Sequence, residues 1–269
     1  MLSKNSKIIK TIFNSKWKPQ LMKLFGKVLS QTKISQNEIE SIINNHNTDK
    51  EIIDVLVKHN KNPINLYSEK YDRNRAIKKW KLIKSSLKGR VTSLLDMGGN
   101  VGNIAHMLGR VIMKLPKKNT IVVDINDWEG QQWTPRSDIT FVHYDDIKTI
   151  PDKSIDLITV FHTLHHINKK DYTDIINQYK RIITPSGIIV LYEHDCSTPE
   201  WDGIIDVEHI LYDVVVSKKK KYIDYVNNYY SNYMSKSEWE KLFKLGGFKK
   251  YKEINLRNID NSFYMFFKN

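Results

Sequence analysis

Cysteine is almost missing from this sequence. Cys196 is the single one among 269 residues, so no disulfide can close within the chain, and a reducing, cytoplasmic setting is expected. Long hydrophobic runs are missing too: no window approaches the ~18 uncharged apolar residues of a spanning helix, so a soluble chain without a transmembrane segment is expected. Acidic residues are absent before Glu38. A mitochondrial leader shares that lack of acid but is rich in arginine, and the first forty residues contain no arginine, which argues against one. No internal repeat is present. Apolar residues at 40% and aromatic residues at 11% are enough for a core, which excludes sustained disorder.

The charge is uneven. The net +13 coincides with the excess on residues 1–90, where 20 basic residues face 7 acidic ones. Residues 91–195 hold 11 against 13, and residues 196–269 hold 12 against 10. Such a distribution suits an attachment that binds a polyanion, or else a well-solvated helical surface.

Residues 1–90 pattern as helices. Ile8, Ile9, Ile12 and Phe13 share a helical face, as do Leu21, Leu24, Phe25 and Val28, with Pro19 between the two stretches. Ser35-Gln-Asn-Glu38 and Thr48-Asp-Lys-Glu51 both match the capping box, and each precedes a short apolar run. Asn60 to Pro63 reads as a linker and Arg73 to Leu87 as a further, lysine-rich helix. From Val91 the pattern changes to strands alternating with helices, which predicts a parallel sheet with crossovers. The strand candidates are Val91–Leu95, Thr120–Val123, Ile139–Val142, Ile155–Val160 and Gly187–Tyr192. A helix from Ser235 to Gly246-Gly247 and a closing hairpin, Lys249–Ile254 with Ser262–Phe267, complete the chain. Two domains are expected, a basic helical region over 1–90 and a ligand-binding α/β domain over 91–269.

The strongest motif is Leu94-Leu95-Asp96-Met97-Gly98-Gly99-Asn100-Val101-Gly102-Asn103, a buried strand ending in a carboxylate and followed by a glycine-rich turn. The dinucleotide fingerprint G-x-G-x-x-G fits poorly, because Asn100 and Asn103 stand at its second and third glycines. A second apolar strand, Ile121 to Asp124, also ends in an acid. Tyr144-Asp145-Asp146-Ile147, then Pro151 and Ser154-Ile155-Asp156, follow in order, as do Val160-Phe161 and Arg181 to Gly187. In this order, over Val91 to Tyr192, the chain resembles class I S-adenosylmethionine-dependent methyltransferases, with Asn100 where the middle glycine of their first motif usually stands.

The resemblance implies a Rossmann-like seven-stranded α/β sheet of order 3-2-1-4-5-7-6 with the last strand antiparallel, preceded here by a helical N-terminal extension. It implies S-adenosylmethionine as cofactor, held by Asp96, Gly98, Gly99, Asn100 and Gly102. Asp124 would accept the ribose hydroxyls, with Ile125 beside it and Asp127 as a rival. Asp146, or Asp145 one register earlier, would sit by the adenine amino group, with Ile147 against the ring and Phe161 lining the site. Glu193-His194-Asp195-Cys196, then Asp206 to His209, Tyr212 and Tyr233 to Trp239, are similar to methyltransferase domains of large DNA viruses, with Tyr192 in place of an arginine.

The candidate general bases are His165, with His166 beside it, and Glu193. His194, Asp195, Cys196, Asp206 and His209 are zinc-capable types, but no tight C-x-x-C or H-x-x-x-H pair is present, and no metal is expected. A methyl acceptor in RNA, a cap or another site, is the first expectation, bound through the basic N-terminal region, where Lys78, Lys79, Lys81 and Lys84 flank Trp80. Methylation of a small molecule or lipid is the second, and a non-catalytic, partner-binding subunit the third.

Overall fold

The computed structural model describes residues 6–30, 32, 34–61, 63, 69–87, 89–125, 134–218, 220–256 and 258–269. In chain order the helices are α1 (Ile8–Phe13), α2 (Lys18–Val28), α3 (Gln36–Asn45), α4 (Asp49–His59), α5 (Glu69–Ile83) and α6 (Asn103–Ala105). They continue with α7 (Tyr172–Ile182), α8 (Pro199–Ile210), α9 (Tyr222–Asn228) and α10 (Lys236–Leu245). Wider π-turns extend α6 over His106–Ile112 and α8 over Leu211–Val216. The strands are β1 (Leu94–Met97), β2 (Thr120–Asp124), β3 (Thr140–His143), β4 (Ile155–Phe161), β5 (Ile183–His194), β6 (Lys249–Asn255) and β7 (Ser262–Lys268). No helix among the described residues is long and apolar enough to cross a membrane.

The chain divides into two compact units. One, the sheet unit, comprises Tyr67–Glu193, Lys236–Leu256 and Phe263–Asn269. Its sheet runs β3-β2-β1-β4-β5-β7-β6, with parallel pairing from β3 through β5 and antiparallel pairing of β6 with β7, the order and the reversed last strand expected from the sequence. β1 and β2 are buried at every position, as befits central strands of a parallel sheet covered on both faces. The order turns back between β1 and β4, so the crevice for a ligand lies at the carboxyl ends of β1, β2 and β4.

The other, the helical unit, comprises Met1–Leu66, His194–Ser235 and Arg257–Ser262. Each N-terminal helix is short and apolar on one face only, so none is stable alone and all need a second layer. That layer is α8 with its extension: Ile204, Ile205, Val207, Ile210 and Val214–Val216 bury themselves with Ile9, Leu21, Phe25, Ile43, Ile53 and Leu56. Gly203 permits the close approach of α8 to α1, since a Cβ there would lie 2.9 Å from Ile12 Cδ1. Both capping boxes form, Ser35 with Glu38 and Thr48 with Glu51. The buried Asp49 carboxylate accepts from Ser6 and from the amides of Ile8 and Ile9, closing the start of α1.

The units do not part at residue 90, where the sequence places its boundary. α5 belongs to the sheet unit, because its Ala76 and Ile83 pack with Leu94, Met107 and Leu108. Residues 194–235, expected within the α/β domain, join the helical unit. Asn60, expected in a linker, is buried and donates to the carbonyls of Val215 and Val216.

Candidate functional site

The turn after β1 is built by three residues in the left-handed region, Gly98 (φ 67°), Asn100 (φ 54°) and Gly102 (φ 87°). A Cβ at Gly98 would fall 2.3 Å from Thr163 Cγ2 and one at Gly102 2.0 Å from Ile139 Cδ1, so both positions demand glycine. Asparagine is the side-chain-bearing residue that tolerates this conformation best, which explains how Asn100 replaces a glycine without breaking the turn. Its side-chain oxygen accepts from the Val101 amide at 2.7 Å. Its own amide donates to Asp124 Oδ2 at 2.8 Å, hooking the turn to the end of β2.

Asp96 is buried and accepts from the Thr159 hydroxyl at 2.6 Å. Burial pushes its carboxyl up to about 6, against the pull of Thr159 and of the Lys79 ammonium. Asp124 is also buried. Ile125, one residue further, is 75% exposed, an apolar side chain held open at the strand end. Asp145 and Asp146 are exposed on the turn Tyr144–Thr149, whereas Ile147 points into the core and Arg181 donates to its carbonyl. Ile147, expected against a ring, therefore presents no open face. Asp127 lies outside the described residues.

At the end of β4 the backbone reaches a left-handed φ of 52° at His162. The segment that follows is tied down from β5. Glu193 Oε1 accepts from the amides of Thr163 and Leu164 at 3.0 and 2.9 Å, and its Oε2 lies 2.5 Å from His165 Nδ1. Thr163 donates in turn to the Met97 carbonyl. The two candidate bases are thus brought into direct contact, with both side chains only 1% exposed.

Sequence reasoning missed the contribution of α5. Asp72, buried, accepts from Asn103 Nδ2 at 3.0 Å and anchors the helix start that closes the turn. Lys79, read from the sequence as part of a solvent-facing basic surface, is instead 6% exposed. Its ammonium lies 3.7 Å from the Tyr192 ring centroid and 4.3 Å from that of Phe161. Tyr192 stacks on Tyr264 at 4.4 Å and on His162 at 4.0 Å. Trp80 is half-buried against the core. The one signal available was the helical spacing of Asp72, Ala76, Lys79 and Ile83, a face that holds two apolar residues.

Of the zinc-capable residues, Asp206 accepts from the Tyr233 hydroxyl at 3.0 Å, and the same hydroxyl contacts His209 Nδ1 at 3.2 Å. Cys196 is buried. His194 meets two acids that are distant in sequence, Glu208 and Asp260.

A family model described as a methyltransferase domain matches residues 59–253. No curated protein matches the sequence. Solved structures share the fold at low identity. A SAM-dependent methyltransferase of Archaeoglobus fulgidus is 13% identical with a TM-score of 0.55, covering 76% of this chain and 98% of its own. A protein of Pyrococcus horikoshii OT3 is 19% identical with a TM-score of 0.53, covering 76% and 93%. A SAM-dependent methyltransferase of Methanosarcina mazei is 16% identical with a TM-score of 0.51, covering 70% and 96%.

Proposed function

This chain belongs to the family of methyltransferase domains, and on that premise we propose that it binds S-adenosylmethionine and transfers a methyl group to RNA. The observation that carries the reading is the left-handed turn Gly98–Gly102, hooked to Asp124 beside the buried acid Asp96. S-adenosylmethionine supplies an electrophilic methyl group on a sulfonium. The residues fit it: two buried carboxylates at adjacent strand ends suit a cationic ligand with vicinal hydroxyls, and the open Ile125 side chain suits a flat base.

In this reading Asp124 takes the ribose hydroxyls, and Asp96 faces the positively charged amino-acid end. Gly98, Gly99, Asn100 and Gly102 present bare backbone to the ligand. Ile125 and Phe161 flank it, and Asp146 accepts from the adenine amino group. The ammonium of Lys79 favours the ionised form of Asp96. Glu193 and His165, shut away from solvent, serve as positioning residues that hold the 161–166 segment, so that orientation of the acceptor rather than proton removal supplies the rate. A ring nitrogen as acceptor atom needs no base, which agrees with that burial.

The RNA reading rests on where the charge lies. The sheet unit holds 27 basic against 17 acidic residues, and the helical unit 16 against 13. Lys70, Arg73, Lys78, Lys81 and Lys84 are exposed on α5 and the turn after it. Phosphate contacts of this kind dominate RNA affinity.

Calorimetry tests the cofactor site: Asp124→Ala should weaken S-adenosylmethionine binding about tenfold to a hundredfold, the loss of hydrogen bonds to a charged group. Unchanged affinity would remove Asp124 from the site. Incubation with methyl-labelled cofactor and a panel of capped RNA, uncapped RNA and metabolites tests the acceptor. Label in a metabolite alone refutes the RNA reading, and tight cofactor binding with no transfer to any member refutes the enzymatic one.

A further inference from the structure

We propose that His194, Glu208 and Asp260, inside the helical unit, form a buried binding site for one first-row divalent cation. Each offers one ligand atom, and the three atoms lie within 4.8 Å of one another. The residues are 3%, 5% and 6% exposed. Two carboxylates rarely share a buried pocket without a neutralising partner, because each loses its hydration and they repel one another. Glu208 Oε2 and Asp260 Oδ1 are both buried and accept no hydrogen bond from the described residues. Among the described residues, the ammonium beside them is that of Lys27, 3.6 Å from Glu208 and 3.9 Å from Asp260. One ammonium faces two carboxylates there, and the Lys27 side chain is 39% exposed, able to swing into water when a stronger cation arrives.

The imidazole is already oriented for ligation. His194 Nδ1 lies 2.9 Å from the Asp260 carbonyl oxygen, which can only accept, so Nδ1 carries the proton and Nε2 is the ligand atom of the proposal. A histidine fixed through its other nitrogen by a backbone carbonyl is the usual outer-shell arrangement of metal ligands. Asp260 therefore acts twice, with its carboxylate as a ligand and its carbonyl as the support. Bonds of about 2.0–2.2 Å place neighbouring ligand atoms roughly 3–3.5 Å apart, so side-chain adjustments of about 1 Å complete the set. One imidazole with two carboxylates suits zinc, manganese or ferrous iron better than calcium, which takes oxygen ligands, or copper(I), which takes sulfur. Three protein ligands leave further positions to water.

The full-length chain, stripped with a chelator and dialysed, is titrated with ZnCl2 and separately with MnCl2, with bound metal counted by elemental analysis. One equivalent per chain and a rise of several degrees in Tm are expected. Glu208→Gln and His194→Gln should each weaken binding at least tenfold, while His59→Gln, exposed and remote from the three ligands in sequence, should leave it unchanged. Equal stoichiometry and affinity in the ligand variants would move the metal elsewhere and overturn the proposal. Should those variants fail to fold, pulsed electron paramagnetic resonance of Mn2+ on the wild-type chain decides. Coupling to one imidazole nitrogen supports the site, whereas no bound Mn2+, or bound Mn2+ without nitrogen coupling, together with a Tm insensitive to zinc and chelator, overturns it.

Discussion

The two units bury polar groups for different purposes. In the helical unit some of them finish secondary structure: Asp49 closes the start of α1 and Asn60 ties the end of α4 to two carbonyls of the α8 extension. The exceptional group is the trio His194, Glu208 and Asp260. In the sheet unit, Asp96, Asp124, His165, Glu193, Asp72 and Lys79 gather around the ends of β1, β2, β4 and β5, fixing the loops there and, through Asp72, the start of α6. Charge separates the units as well. The segments of the helical unit that come from beyond residue 193 bring eight acids against five basic residues, which halves the net +6 of its first 66 residues. Counted by unit, the positive excess therefore lies mainly in the sheet unit, α5 included.

The sharpest way to break this contrast is to disable one unit's core. Phe25 is fully buried in the helical cluster, and Phe25→Ala should cost about 3–5 kcal/mol, read as a lowered denaturation midpoint. A cost below about 1 kcal/mol would show that the helical unit does not hold its own core.

A somewhat smaller effect is expected from Asp96 as pH changes. Its folded pKa of about 6 exceeds its ordinary 3.8, so across that window the folded state keeps a proton that the unfolded chain releases. Stability should then fall as pH rises through the window, by about 3 kcal/mol in all. Cofactor affinity should move the opposite way, rising as the carboxylate ionises to face a cation. Asp96→Asn should flatten the stability profile between those pH values, and an unchanged profile would reassign it to other groups.

Charge reversal compares the units directly. Lys78, Lys81 and Lys84 to Glu in the sheet unit should weaken RNA binding and lower the salt slope by about one for each phosphate that is no longer neutralised. Lys16, Lys23 and Lys58 to Glu, equally exposed in the helical unit, should change both much less. The reverse outcome would restore the N-terminal arm as the polyanion surface. The smallest effect is expected at a cap: Ser35→Ala removes one capping box and should cost about 1 kcal/mol, with cofactor affinity unchanged.

Much of the fold could be read from spacing alone. Both capping boxes, the helical faces of α1 and α2 and all seven strands follow from local patterns, and the strand order follows from the resemblance that their sequence carries. The glycine turn was equally visible, because left-handed backbone restricts residue choice at the position itself. Less visible was the depth of each group. His165 and Glu193 stood out in the sequence as candidate bases, yet their mutual contact and complete burial depend on how β5 lies beside β4. Lys79 was misread because a lysine in a basic helix gives no local sign that aromatic rings from β4, β5 and β7 will surround its ammonium.

By itself the sequence determined whatever depends on neighbours a few residues apart: helix starts, strand alternation, the turn after β1 and the family to which these motifs point. Only the tertiary structure decided what depends on residues far apart in the chain. It moved α5 to the sheet unit, gave residues 194–235 to the helices of the N-terminus, and brought Asp260 to His194 and Glu208. Ligand spacing could not have revealed that last trio, since its members come from the end of a strand, a helix and a distant loop. The physical reason is that apolar faces choose partners by total burial, which is not a local quantity, and polar side chains are carried to wherever that choice leaves them.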